Sequence, residues 1–286
     1  MDGIILINKE KNITSRDVCN MVSQKLNIKR VGHCGTLDPI ATGLMIICVN
    51  EGCKIQELLM NHDKDYIAKV KIGIKTDTYD ITGNIIERKN DIKLSKDVLI
   101  KTLNSFTPSY EQKVPIYSAI KVNGKKLYEY ARENKKVDIP THQVNIYNIK
   151  LLDLTNDYFT FFVSVSSGTY IRSLINDIGN KLNVPLTMEA LERTRVGEFK
   201  LQDASNIDNL SIIPIINALN IFKIDIKNNN DLIKKISNGV KIENIYNQDK
   251  VLFNIENIPL AIYIAEDGYL RAYRVFNLKK ENLKNG

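Results

Sequence analysis

The chain has 286 residues, 43% of them hydrophobic and 26% charged, the balance of a soluble globular protein with one large domain or a catalytic domain and a smaller companion. No apolar run approaches bilayer length, and Met1-Asp2-Gly3 before Ile4-Ile5-Leu6-Ile7 lacks the positive flank of a signal peptide, so a cytoplasmic protein with a first β-strand here is the expectation. The net charge of +7 favours an anionic partner such as RNA, although Lys outnumbers Arg 31 to 9 and a lysine-rich composition gives the same sign without any ligand.

Thr14 or Ser15 can cap a helix that places Val18, Val22 and Leu26 on one face. A glycine-punctuated loop from Lys29 to Gly43 runs into an apolar strand, Leu44 to Val49. Tyr66 to Ile72 alternates as a half-buried strand does, and Ser95 to Phe106 reads as a helix. Asn123-Gly124 marks a tight turn before a helix around Leu127 to Glu133. Two strands, Gln143 to Leu154 and Tyr158 to Ser166, precede a helix from about Thr169 to Leu182. Strands and helices mix without strict βαβ alternation, which predicts an α+β fold with a mixed sheet. Near the Asn-rich stretch 227–230 the pattern changes to a short helix, Asp231 to Ser237, and then a hairpin around Asp267-Gly268. The expected division is a catalytic domain, 1–222, and a small β-rich module, 223–286. The cysteines (Cys19, Cys34, Cys48, Cys53) and three histidines show no metal-ligand spacing, so reduced, buried thiols and no metal are expected.

The chemistry is concentrated in Gly32-His33-Cys34-Gly35-Thr36-Leu37-Asp38-Pro39-Ile40-Ala41-Thr42-Gly43-Leu44. Its glycines permit close approach of a ligand, and Pro39 pushes Asp38 toward extended backbone. A carboxylate on a stiffened loop beside a buried strand suits a nucleophile; taken alone, Asp-Pro also makes an ordinary turn.

The whole segment resembles the catalytic motif of the TruB family, the tRNA pseudouridine(55) synthases, G-H-x-G-x-L-D-P-x-A-T-G-x-L, at every fixed position. Four further blocks follow in the family's order: Asp65-Tyr66 with 76–83, Pro115 through Arg132, Gly168-Thr169-Tyr170-Ile171-Arg172, and 191–197. The opening departs from the family's D-K-P-x-G-x-T-S, reading Asn8-Lys9-Glu10-Lys11-Asn12-Ile13-Thr14-Ser15. Asn12 can still take left-handed angles.

The resemblance implies a pseudouridine synthase fold with a C-terminal, PUA-like RNA-binding module. It also implies a uridine-to-pseudouridine isomerase acting by base flipping on the T loop of tRNA, with no cofactor. It assigns Asp38 as nucleophile or base, Arg172 as its ionic partner, and Tyr66 as a stacking wall that assists proton removal. Tyr170 and Leu191 become pocket walls, and His33 and Lys9 become RNA contacts. Read without it, each residue has a plainer alternative: an ion pair for Arg172, core packing for Tyr66, Tyr170 and Leu191, and an ordinary loop side chain for His33. Lys125, Lys126 and Arg132 suit RNA backbone contacts or a solvated helix face equally.

Three rival readings remain. A ribosomal RNA synthase usually carries Arg-Leu-Asp rather than the Thr36-Leu37-Asp38-Pro39 found here. The catalytic subunit of a guide-RNA complex generally adds an N-terminal extension, so stand-alone action by a monomer is expected. An RNA-folding chaperone would bind tRNA without modifying it.

Overall fold

The structure, a computed structural model, describes residues 2–133 and 135–277. Its centre is a mixed sheet in the order Ile212–Pro214, Gly3–Lys9, Thr42–Val49, Leu186–Val196, Lys64–Ile72, Tyr158–Val165, Thr141–Leu154, Ser109–Lys113. Neighbours are antiparallel except Thr42–Val49, which runs parallel to Leu186–Val196. The α+β expectation therefore holds, with a single parallel junction at mid-sheet.

The apolar run at the N-terminus is explained by burial on both faces of the sheet. Ile5 and Ile7 join the core formed with helices Ser15–Leu26, Lys96–Asn104 and Ile171–Leu182. Ile4 and Leu6 face the other way, into a cluster with Leu44, Ile46, Leu252, Ile262 and Phe276. That second cluster joins the central sheet to a five-stranded sheet in the order Phe222–Asp225, Lys250–Ile255, Ile258–Glu266, Tyr269–Val275, Ile242–Glu243. The helix Asn230–Ser237 contributes Ile236 to this sheet's other face.

Thr14 caps the first helix with a capping box, its hydroxyl accepting from the Asp17 amide while the Asp17 carboxylate accepts from Thr14 N. The helix expected from Thr169 begins at Ile171 instead, because Tyr170 is extended (φ −95, ψ 111). The side chain of Gln112 holds that residue on both sides, accepting from Tyr170 N at 2.8 Å and donating to Tyr170 O at 3.0 Å. Cys19, Cys34 and Cys48 are buried thiols and Cys53 is half-buried.

Candidate active site

The loop carrying Asp38 is fixed by the segment that opens the chain. Ser15 Oγ donates to Leu37 O at 3.0 Å and accepts from Leu37 N at 2.9 Å. Asn12, in the left-handed region at φ 70, donates its amide to Pro39 O at 2.7 Å. Lys9 is fully buried, and its ammonium donates to the carbonyls of Ile13, Glu10 and Pro39 at 2.8, 2.9 and 3.2 Å. Burial pushes the Lys9 pKa down to about 8, against the pull of Asp38 and with a smaller push from Arg193. The three carbonyls occupy its three donors, so this geometry leaves the Lys9 ammonium nothing for an RNA phosphate; it ties two loops together.

At the far end of the loop, Gly43 has φ 104, and a Cβ there would stand 2.4 Å from the carbonyl oxygen of Arg193. Glycine is required both by the backbone angle and by this approach, which is the start of the parallel junction between Thr42–Val49 and Leu186–Val196.

Asp38 meets Arg172 in a two-pronged contact, Nε to Oδ2 at 2.9 Å and Nη2 to Oδ1 at 3.2 Å. The guanidinium is itself held, Nη2 donating to Tyr117 O at 3.0 Å and Nη1 to Thr78 O at 3.1 Å. Asp80 lies on its outer side, 3.8 Å from Nη1. The Asp80 carboxylate is oriented by Thr78 Oγ1 at 3.0 Å, Thr82 N at 3.0 Å and Thr82 Oγ1 at 2.5 Å. Arg172 is 8% exposed at the side chain and Asp38 33%, so the cation is locked inside while one edge of the carboxylate faces the cavity. A fork of this kind fixes the direction of the oxygens as well as their charge.

That cavity, about 430 Å³, is lined by Asp38, Tyr66, Tyr170, Arg172 and Leu191 among others, a volume in the range of small-ligand sites. Tyr66 lies on the inward face of Lys64–Ile72 and is 6% exposed, more buried than the polar neighbour Asp65 implied. Asp65 instead points to the opposite face, where Arg195 donates Nε and Nη2 to its two oxygens at 2.6 Å each. Leu191 comes from the adjacent strand, paired with Ala68. Burial pushes the Tyr170 phenol up, with Ser118 and then Arg172 opposing.

Two of the seven residues singled out in the sequence fall outside the cavity lining: Lys9, as above, and His33. His33 ends a short strand, Val31–His33, that the glycine-rich stretch did not announce. Its Nδ1 is buried without a partner among the described residues, and burial, then Arg16 and Arg193, push its pKa down. Sequence reasoning gave no individual role to Asp80, which sat inside a quoted block, and overlooked Gln112, for which no local signal exists. Beside the pocket, Tyr128 carries Arg132 and Lys126 at 5.2 and 5.4 Å from its ring centre. Lys125 is engaged by Glu133. No group of three or more acidic, histidine or cysteine side chains among the described residues could hold a metal ion, and no helix among them is long and apolar enough to cross a membrane.

Comparison with known proteins gives this geometry a lineage. The TruB family pseudouridylate synthase (N-terminal domain) model matches residues 23–171. A tRNA pseudouridine synthase B of Clostridium tetani is 40% identical over 261 residues, covering 89% of this chain and 90% of that protein. One from Mycoplasma capricolum is 40% identical over 291 residues, covering 99% and 98%. Among solved structures, an H/ACA RNP bound to a substrate RNA containing 2′-deoxyuridine superposes with a TM-score of 0.70 at 20% identity, over 97% of this chain and 86% of that one. A Cbf5-Nop10-Gar1 complex gives 0.69 at 21% identity, over 96% and 84%. At such identity these two structures speak for the fold alone. By the family match, and by identity sustained along nearly its whole length, the chain belongs to the TruB family of pseudouridylate synthases.

Proposed function

We propose that this protein converts the uridine at position 55 of the tRNA T loop to pseudouridine, acting alone and with Asp38 as the reacting carboxylate. Uridine-to-pseudouridine isomerisation in tRNA is the activity of its family. The observation that carries the assignment to this site is the Asp38 carboxylate, clamped by Arg172 at 2.9 and 3.2 Å and open on one edge to a cavity walled by Tyr66, Tyr170 and Leu191.

The chemistry rearranges atoms already in the substrate. The C1′–N1 bond breaks, the base turns, C5 bonds to C1′, the C5 proton leaves and N1 gains one; no electrons or groups are imported. A base stacked within the T loop hides these atoms, so it is extruded at a cost of a few kcal/mol. Stacking on Tyr66 returns about 1–3 kcal/mol. Arg172 keeps the Asp38 carboxylate aimed by its two-point contact, while Asp80, braced by Thr78 and Thr82, holds Arg172 from behind. Asp38 acts either by adding to the nucleotide or by removing a sugar proton. Tyr66, which lines the cavity, assists removal of the C5 proton.

Arg132 and Lys126 on Tyr128 supply cationic surface at the cavity for the RNA backbone, and residues 223–286 act as a small RNA-binding module. The test is site-mapped pseudouridine formation on an unmodified tRNA transcript, with wild type and Asp38→Asn. Conversion at position 55 by wild type alone is expected. A folded wild type that binds the transcript without converting it would favour a chaperone or a guide-dependent enzyme.

A further inference from the structure

Two buried cations in the pocket are left unused by the Asp38–Arg172 pair. Lys64 is 7% exposed and Arg193 1%, and both line the cavity. Lys64 stands two residues before Tyr66 on one strand, and Arg193 is the ladder partner of Tyr66 on the next. Alternation along a strand and pairing across it put both on the Tyr66 face. They meet under the Asp38 loop: a Cβ built on Gly35 would lie 3.5 Å from Arg193 Nη1 and 3.6 Å from Lys64 Cε.

Lys64 donates to the carbonyls of His62 and Met60 at 2.6 and 3.0 Å, which leaves one of its three protons over. Arg193 gives Nε to Leu44 O at 2.8 Å and Nη2 to Gly35 O at 3.2 Å, and Nη1 has no partner among the described residues. Neither forms an ion pair with a carboxylate among those residues, whereas Arg172 has both Asp38 and Asp80. Burying charge without a counterion is unfavourable. The strain registers in Lys64, whose pKa burial and then Arg193 push down to about 8 against the pull of Asp63 and Cys34. Lys9 is buried in the same way but gives all three protons to carbonyls, whereas Lys64 and Arg193 each keep a donor over in the cavity lining, which gives these two the capacity to hold an anion.

We propose that Lys64 and Arg193 form an electropositive pocket floor that stabilises the negative charge on the uracil ring after its glycosidic bond breaks. The inference rests on the isomerase reading above. When C1′–N1 opens, its electron pair stays on the base, spread over N1, O2 and O4. Forming C1′–C5 consumes a ring pair, C5 then releases its proton and N1 takes one up. The base is neutral at both ends and anionic between, so fixed cations favour the crossing over the bound substrate.

The test uses the full-length protein and an unmodified tRNA transcript, measuring single-turnover pseudouridine formation and RNA affinity separately. Lys64→Met and Lys64→Gln, the second retaining an N–H donor for the carbonyls, are each expected to slow the single-turnover rate about 100-fold, the scale of losing one charge-stabilising donor. RNA affinity should stay within about twofold, the change expected of a group that acts only beyond the ground state. Lys64→Arg should restore most of the rate and carry activity to higher pH than wild type. Lys9, also near 8, and His62 beside Lys64 titrate in the same protein, so the comparison with Lys64→Arg is what assigns the alkaline limb. A wild-type rate in Lys64→Gln would overturn the proposal, as would weakened RNA binding at an unchanged rate, which would mark a phosphate contact. Equal slowing in Lys64→Arg and Lys64→Met, with melting temperatures unchanged, would also overturn it. A wild type that forms no pseudouridine would instead remove the isomerase reading itself.

Discussion

Arg172→Lys is the sharpest probe of how the site is built, because it keeps the charge and removes the fork. The guanidinium donates to two Asp38 oxygens and to the carbonyls of Thr78 and Tyr117, with Asp80 a further 3.8 Å away. A lysine has a shorter reach and one nitrogen with three donors. At least one of these four acceptors goes unserved, and Asp38 loses its two-point hold. Hydrogen bonds to charged groups are worth about 1.5–3 kcal/mol each. Asp38 is 33% exposed, so water recovers part of the loss, and a net stability cost of about 2–3 kcal/mol is expected. If a similar amount is lost at the transition state, where carboxylate direction matters, the chemical step slows about 30- to 150-fold.

The assay follows from the reaction: tritium on uridine C5 of a transcript is released as pseudouridine forms, and a single-turnover time course isolates the bond-making steps from product release. Lys at position 172 should leave RNA affinity close to wild type while the release rate falls. A rate within about threefold of wild type, with the melting temperature also unchanged, would refute the argument that direction rather than charge is what Arg172 supplies.

Other perturbations test neighbouring parts of the structure. Tyr66→Phe keeps the ring and removes the hydroxyl, so RNA binding should persist while C5 tritium release slows; unchanged turnover excludes a role for the phenol. Gly43→Ala places a methyl 2.4 Å from the Arg193 carbonyl at φ 104, and a fall in melting temperature together with activity is expected, of at least about 1–3 kcal/mol; a neutral result would show that the parallel junction yields. Asp177 has its pKa raised by burial, with Asn176, Tyr110 and Lys75 opposing. A raised carboxyl pKa means the native state holds the proton longer, so this group's contribution to stability is greatest in acid and is lost as pH rises through the native pKa. Asp177→Asn should therefore raise the melting temperature at neutral pH, with the gap closing toward about pH 4; a gap that widens in acid would reverse the sign.

The elements that were legible in the sequence are those whose signal is local. Thr14 and Asp17 announce a helix start, Ala68-Val70-Ile72 alternate as a strand must, and Asn123-Gly124 turns the hairpin Lys121–Val122 to Lys125–Lys126. The strand Leu186–Val196 was not anticipated, since Glu189, Glu192, Arg193 and Arg195 make it look like surface. Its centre is buried because Arg193 finds two backbone carbonyls and Arg195 finds Asp65, partners supplied by distant segments. The same limit applies at the site. The motif named the loop of Asp38, and the structure groups Asp38, Tyr66, Tyr170, Arg172 and Leu191 around one cavity. It could not show that Lys9, which looks like a surface lysine by type, spends its ammonium inside the fold, or that Gln112 holds Tyr170 from the strand Ser109–Lys113.

The irregularity in Leu186–Val196 shows how much of the pocket depends on register. Along the ladder Arg193 pairs with Tyr66 and Arg195 with Asp65, so Thr194 is an extra residue in the strand. A bulge of this kind re-aims the side chains that follow it. In an unbulged ladder Arg195 would pair with Lys64, adding a third cation to a face that already holds Lys64 and Arg193. With the bulge, Arg195 lies on the opposite face, where Asp65 takes it at 2.6 Å through two oxygens. Inserting one alanine between Thr194 and Arg195 should therefore move Arg195 opposite Lys64, which strips Asp65 of its partner and crowds the pocket floor with like charge. Deleting Thr194 instead takes up the bulge and leaves Arg195 opposite Asp65. The insertion is expected to lose both activity and thermal stability, with Asp65 left unpaired, and the deletion to keep most of both. Near-wild-type melting and turnover in the insertion variant would show that the ladder absorbs the added residue and that the Arg195–Asp65 pair does not depend on this register.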